Sequence, residues 1–317
     1  MTTASTYPSR RQRRGRVIAL HCSGSGASQW CHLAEVLGGD YALLAPEHYG
    51  CEATGHWTGE HAFTLADEAA RIVALIDEGS GDGSGGKVHL VGHSYGGGVA
   101  LEVALSRPGR IASMALYEPT AFHLLEQTGE AGTVALAEVA GVAGRMGRSV
   151  ASGDYRGAVA AFVDYWNGPG AWDGLRPHVQ SALIRWAPKG PMDFHALIEE
   201  ATPADAYRAL TFPVLIMRGE HAPTPTRLIA EALAELLPAS RLAVVGGAGH
   251  MGPLTHAPVV LALIARHIAT AEPQRPRLGK EAAPDARRAV SRPAGAVSCP
   301  PAWSTSDDRR RNENDAR

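Results

Sequence analysis

Lys87-Val88-His89-Leu90-Val91-Gly92-His93-Ser94-Tyr95-Gly96-Gly97-Gly98-Val99 is the stretch on which the fold turns. Lys87 to Val91 reads as a short buried strand, and Gly97 to Ser106 as a helix closed by Pro108 and Gly109. Between them stands Gly-x-Ser-x-Gly, whose small residues two before and two after Ser94 let a strand turn sharply into a helix. Such a turn leaves the hydroxyl exposed at a helix N-terminus, where the dipole favours developing negative charge. A glycine-rich turn carrying an inert serine is the plain alternative.

Working outward, short apolar runs alternate with helical patterns. Val17 to Leu20, Tyr41 to Ala45 and Ile111 to Tyr117 read as strands; Phe63 to Ile76, apolar at Leu65, Ala69, Ile72, Val73 and Ile76, reads as an amphipathic helix ended by the Gly-Ser-Asp loop 79–86. The rhythm resumes with a strand from Pro213 to Met217, a helix from Thr226 to Leu237, a strand from Arg241 to Val245 and a helix from Pro258 to Ala269. Alternation of this kind predicts an α/β fold, a mostly parallel sheet with helices on both faces. Residues 120–205 break the pattern: Ala- and Leu-rich helical stretches are interrupted at Gly141, Gly153, Gly168, Pro169 and Pro177, as expected of a helical lid inserted into the sheet domain. The expected organisation is a flexible basic N-terminus (1–15), a core from 16–119 and 206–270, the lid, and a disordered tail (271–317) rich in Pro, Arg, Ala and Ser.

Charge and cysteine usage narrow the function classes. The 317 residues carry a net charge of -2, yet residues 17–270 hold 15 basic against 25 acidic side chains, a balance that disfavours nucleic acid as a partner. Cys22, Cys31, Cys51 and Cys299 form neither a disulfide framework nor a zinc spacing, so no metal is expected. No apolar run is long enough to cross a membrane. Val17 to Cys22 is too short for the apolar region of a signal peptide, so the cytoplasm is the expected compartment.

A serine hydroxyl needs a base to take its proton. Among the histidines, His250 in Gly246-Gly247-Ala248-Gly249-His250-Met251 follows the last predicted strand, where small residues let an imidazole reach Ser94. With Ser94 and His250 in this order, the chain resembles the α/β-hydrolase superfamily over about residues 15–270. His21-Cys22-Ser23-Gly24-Ser25-Gly26-Ala27-Ser28-Gln29-Trp30 resembles that family's oxyanion loop, with Cys22 in place of the usual glycine. The resemblance implies that the backbone N–H groups of Ser23 and Tyr95 face the oxyanion, and it offers His21, Trp30 and the lid residue Phe122 as substrate contacts. Only about 16 residues precede the first strand, so the antiparallel hairpin that usually opens the fold is expected to be absent.

The acid departs from the family pattern. Most relatives carry Gly-Glu-x-Asp after the strand that here ends at Met217, whereas this chain has Gly219-Glu220-His221-Ala222. Some members, including haloalkane dehalogenases, place a glutamate after the strand that follows the nucleophile helix, and Glu118 in Tyr117-Glu118-Pro119 stands there. Glu118 is the first candidate, Glu220 the second, and a dyad or another acid the third. Dehalogenase activity itself is disfavoured, because those enzymes use an aspartate nucleophile. The resemblance implies a cofactor-independent serine hydrolase acting on a small acyl substrate, with a carboxylic ester as the expected class. A hydrolase of the carbon–carbon bond of a ring-cleavage dienone and a catalytically silent binding protein are the alternatives.

Overall fold

The computed structural model describes residues 14–78 and 86–271. The expectations for residues 1–13, most of the 79–86 loop and the tail from residue 272 therefore lie outside the described residues. The chain runs β1 (Gly15–Leu20), α1 (Cys31–Leu37), β2 (Tyr41–Leu44), α2 (Leu65–Glu78), β3 (Val88–His93), α3 (Tyr95–Ser106) and β4 (Ile111–Tyr117). A helical segment follows, with α4 (Gly129–Ala151), α5 (Tyr155–Asn167), α6 (Pro177–Trp186) and α7 (Gly190–Ile198). Then come β5 (Val214–Gly219), α8 (Thr224–Leu236), β6 (Ser240–Val245), α9 (Gly252–Thr255) and α10 (Ala257–Ala271).

The six strands form one sheet in the order β2-β1-β3-β4-β5-β6, and every neighbouring pair is parallel. The period-2 alternation of each strand divides its side chains between two cores. Ile18, Leu20, Leu90, Met114, Leu116 and Ile216 face α2, α3 and α8, whereas Val17, Ala19, Val91, Ala115, Leu215 and Met217 face α1 and α10. Being buried on both sides, these strands read as continuous apolar runs, as parallel strands do.

The order reverses at β1: the chain leaves it toward β2 on one side and returns as β3 on the other. In open parallel sheets the crevice beyond the carboxyl ends at such a reversal is where ligands bind. Here it lies between the 21–30 loop after β1 and Ser94 after β3.

Two local expectations need correction. Helix α1 was not anticipated, because its seven residues are too few to show a helical period beside the glycine-rich loop that precedes it. Gly141 does not interrupt a helix but lies within α4, whereas Gly153 (φ 82°) and Gly168 (φ 95°) do end helices in the positive-φ conformation that glycine tolerates. Among the described residues, no helix is long and apolar enough to cross a membrane.

Candidate active site

Close backbone packing forces the turn at Ser94. A Cβ on Gly96 would lie 2.4 Å from the carbonyl oxygen of Leu20 at the end of β1, and one on Gly92 would lie 2.6 Å from that of Gly96. Only glycine lets α3 start this close to the sheet. Ser94 itself takes φ 55°, ψ -119°, a strained conformation for a residue with a side chain, and its N–H donates to the carbonyl of Tyr117 at 3.0 Å. Its hydroxyl is thereby presented at the N-terminus of α3.

Three side chains from three distant loops form one hydrogen-bonded line. Ser94 Oγ lies 3.0 Å from His250 Nε2, and His250 Nδ1 lies 2.7 Å from Glu118 Oε2. Ser94, Glu118 and His250 are 6%, 0% and 3% exposed, so they interact with little screening by water. Glu118 also has positive φ (41°), and its carboxylate accepts from the backbone N–H of Gly219 at 2.9 Å and the hydroxyl of Thr226 at 2.8 Å. Burial pushes the Glu118 carboxyl up, but the His250 contact and these two donors outweigh it and hold it below the ordinary glutamate range. It is therefore an anion near neutral pH.

Glu220 stands elsewhere. It is exposed, and its Oε2 accepts from the N–H of Gly247 at 2.8 Å, holding the turn (φ 68° at Gly247) that leads to His250.

A buried relay of neutral groups joins the first loop to the histidine loop. The Cys22 N–H donates to Gln29 Oε1 (3.1 Å), Gln29 Nε2 to His93 Nδ1 (3.1 Å), and His93 Nε2 to the carbonyl of His250 (2.9 Å). Burial holds the His93 ring well below its ordinary pKa, consistent with the single donor and single acceptor that this chain of bonds assigns to it. The hydroxyl of Tyr117 adds a 2.8 Å bond to the carbonyl of Gly249. Sequence reading missed the part played by Gln29; its place seven residues after Cys22 gives no periodic signal.

The helical segment supplies the roof. The Trp166 ring stacks on His250 with centroids 4.2 Å apart and planes 23° apart. A cavity of about 140 Å³ opens at Ser94 and His250 and is walled mainly by Phe162, Trp166, Leu175, Val179 and Leu183. Ser23, Tyr95 and Phe122 join Ser94 around a smaller adjoining pocket.

His21 and Trp30 line neither space, which corrects their expected role as substrate contacts. Trp30 is 1% exposed and packs with Val17 and Leu33 in the core on the α1 and α10 side. The His21 ring turns toward His48, 4.3 Å between centroids, and toward Glu47, 3.2 Å away.

A buried ionic cluster anchors this roof to the first loop. Lys189, between α6 and α7, is 2% exposed; its ammonium contacts the Asp193 carboxylate and lies 3.4 Å from Tyr95 Oη, 3.5 Å from Glu68 Oε2 and 4.0 Å from the Phe63 ring centre. Asp193 Oδ2 accepts from Ser23 Oγ at 2.7 Å. Burial pushes Asp193 up, opposed by Lys189 and by the Ser23 hydroxyl. Removing one charge from such a group leaves the others desolvated and uncompensated. Lys189→Met is thus expected to lower unfolding free energy by about 3–5 kcal/mol, read from urea denaturation; a loss under about 1 kcal/mol would contradict the reading of the cluster as a structural anchor.

Acid should unfold this protein through the same burial. Burial holds His267 down at about 4, and His48 and His93 also below their ordinary value, so each resists the charge it takes up freely when unfolded. Glu68 and Glu118 are held below the ordinary carboxylate range: burial alone would raise them, but the Lys189 ammonium and the Tyr49 N–H for the first and His250 for the second prevail. Both kinds of group have depressed folded values, so their contributions are complete above the unfolded pKa and lost as pH falls. The thermal midpoint should decline from pH 7 through the histidine range, then more steeply below the ordinary carboxylate pKa of about 4.3. A midpoint constant from pH 7 to pH 4 would contradict this.

The model of the alpha/beta hydrolase family matches residues 17–263. The chain belongs to the alpha/beta hydrolase family. Among curated proteins, a lipase of Mycobacterium tuberculosis is 32% identical over 104 residues, 33% of this chain and 37% of the lipase. The dihydrolipoyllysine-residue acetyltransferase component of an acetoin cleaving system from Cupriavidus necator is 30% identical over 109 residues, 33% of this chain and 27% of that protein. The chain thus spans about a third of the length of the curated relatives it matches. Among solved structures, a hydrolase from Pseudomonas aeruginosa superposes with a TM-score of 0.64 at 19% identity, covering 80% of this chain and 90% of that one. An esterase from Rhodococcus gives 0.60 at 21% identity, covering 81% and 91%. At these identities the solved structures establish the alpha/beta hydrolase fold.

Proposed function

We propose that this alpha/beta hydrolase is a serine hydrolase that cleaves a carboxylic ester or a related acyl substrate through an acyl-enzyme. The observation that carries the reading is the line from Ser94 Oγ through His250 to Glu118, opening into an apolar cavity. Ser94 Oγ attacks the carbonyl carbon while His250 Nε2 takes its proton. Glu118 fixes the tautomer through Nδ1–H and stabilises the imidazolium. The carbonyl oxygen gains charge toward the N–H of Tyr95, which opens α3 and has no intrahelical acceptor, and toward the N–H of Ser23. His250 then protonates the leaving alcohol, and a water deprotonated by the same imidazole releases the acid. The lipase among the curated relatives supports this substrate class.

The apolar wall formed by Phe162, Trp166, Leu175 and Leu183 favours an aliphatic or aryl acyl group. Hydrolysis of p-nitrophenyl esters with acyl chains of two to ten carbons, alongside a ring-cleavage dienone, tests the proposal. The expected result is saturable ester hydrolysis with a chain-length optimum and no comparable turnover of the dienone. Preferred turnover of the dienone would move the assignment to carbon–carbon hydrolysis, and turnover of neither would point to a binding protein.

A further inference from the structure

A second cluster of chemistry-bearing side chains lies beyond β1, around His21. His21 Nδ1–H donates to the carbonyl of Cys22 at 2.8 Å, which leaves the lone pair on Nε2. That nitrogen lies 3.2 Å from Glu47 Oε2 and 3.9 Å from Cys51 Sγ. The donor atoms of His21, Glu47 and Cys51 all fall within 4.8 Å of one another. Glu47 Oε2 is buried without a hydrogen-bond partner, so it approaches the ring nitrogen outside hydrogen-bond alignment. A carboxylate oxygen beside a nitrogen lone pair is repulsive unless a proton or a metal cation lies between them.

Around a tetrahedral zinc ion with ordinary bond lengths, a nitrogen and an oxygen ligand stand about 3.4 Å apart and a nitrogen and a sulfur about 3.5 Å. The observed separations of 3.2 and 3.9 Å need only small side-chain adjustments to match. His21 also shows the support that metal-binding histidines have, its other ring nitrogen held by a backbone carbonyl. The backbone N–H of His48 reaches Nε2 at 3.2 Å, a contact that a bound ion would displace. A solvent-open cavity of about 760 Å³, lined by Glu47, Cys51, Glu52 and His56, gives entry and room for a water as fourth ligand.

We infer that His21 Nε2, Glu47 Oε2 and Cys51 Sγ form a binding site for a divalent transition-metal ion of the zinc class. On binding, the Cys51 thiol releases its proton to solvent and the thiolate sulfur bonds the ion. The site has a place in the architecture of the loop above it. His21 precedes Ser23 by two residues, and its carbonyl is packed so tightly on the start of α3 that a Cβ on Gly96 would approach it to 2.6 Å. An ion there ties the first loop to the 47–51 loop. No spacing in the sequence announces it, because the three ligands come from two loops separated by α1 and β2.

The inference is independent of the hydrolytic reading and is tested without substrate. Full-length protein is treated with EDTA, desalted under reducing conditions and titrated with Co²⁺, then Zn²⁺. One equivalent of Co²⁺ is expected to produce a thiolate-to-cobalt charge-transfer band and the visible bands of four-coordinate cobalt, both bleached by Zn²⁺. Cys51→Ser should lose the charge-transfer band, Glu47→Gln should weaken Co²⁺ binding at least tenfold, and Ser94→Ala should leave the titration unchanged. Circular dichroism checks the fold of each variant. If Cys51→Ser does not fold, Glu47→Gln and the wild-type spectrum decide. A wild-type spectrum unchanged by Co²⁺ would mean that a proton joins His21 and Glu47 and would overturn the inference, as would a charge-transfer band that persists in folded Cys51→Ser.

Discussion

Ser94→Ala is expected to abolish labelling by a fluorophosphonate probe and to lower ester turnover by about 10⁶, the scale seen when the nucleophile of a serine triad is removed. The size of the effect follows from position. The constrained elbow places one hydroxyl at the start of α3, 3.0 Å from a ring nitrogen, Nε2 of His250, aligned to take its proton. The substitution removes one oxygen, and the neighbouring glycines still form the turn, so the fold should survive. Intact-mass analysis of wild type should show one adduct, and none in the variant. An adduct of equal yield in Ser94→Ala would place the nucleophile elsewhere. The remaining activity should still exceed the uncatalysed rate, because the N–H donors and the cavity remain.

Glu118→Gln should lower turnover by about 10⁴, the cost when the acid of a serine triad becomes its amide. The mechanism is specific. Replacing one carboxylate oxygen by an amide nitrogen leaves either a donor facing both His250 Nδ1 and the Thr226 hydroxyl, favouring the wrong tautomer, or a donor facing the Gly219 N–H. The KM should change far less than kcat, since Glu118 lines neither pocket. Glu220→Gln is the control. Its bond to the Gly247 N–H survives with an amide oxygen, so turnover should stay within about tenfold of wild type. Loss of activity in the Glu220 variant with Glu118→Gln near wild type, both folded by circular dichroism, would reverse the assignment of the acid. If neither variant is impaired, Ser94 and His250 act as a dyad or with another acid.

The fold was legible because parallel strands buried on both faces leave runs such as Val17 to Leu20 and Ile111 to Tyr117, and because the helices between them carry strong apolar stripes. Ser94 and His250 were legible because local backbone chemistry marks both loops. Glu118 could be read only against the missing aspartate after Gly219, and the structure places it at hydrogen-bond distance from His250. The rest depends on tertiary contact. Nothing local shows that Gln29 bridges Cys22 and His93, or that Lys189 and Asp193 reach from the helical segment to Ser23 and Tyr95. His21 and Trp30 were misassigned for the same reason. Their place beside the oxyanion loop suggested substrate contact, but the chain turns both side chains away from the cavity.

The central claim is a covalent acyl intermediate on Ser94, and rapid acid quench during turnover of a slowly deacylating p-nitrophenyl ester, followed by intact-mass and peptide analysis, tests it most directly. The account predicts a burst of p-nitrophenol close to one equivalent and a protein mass increased by one acyl group, carried on the peptide that contains Ser94. Steady release of p-nitrophenol without a burst or mass gain, or an acyl group found on His250 or Cys51, would contradict it.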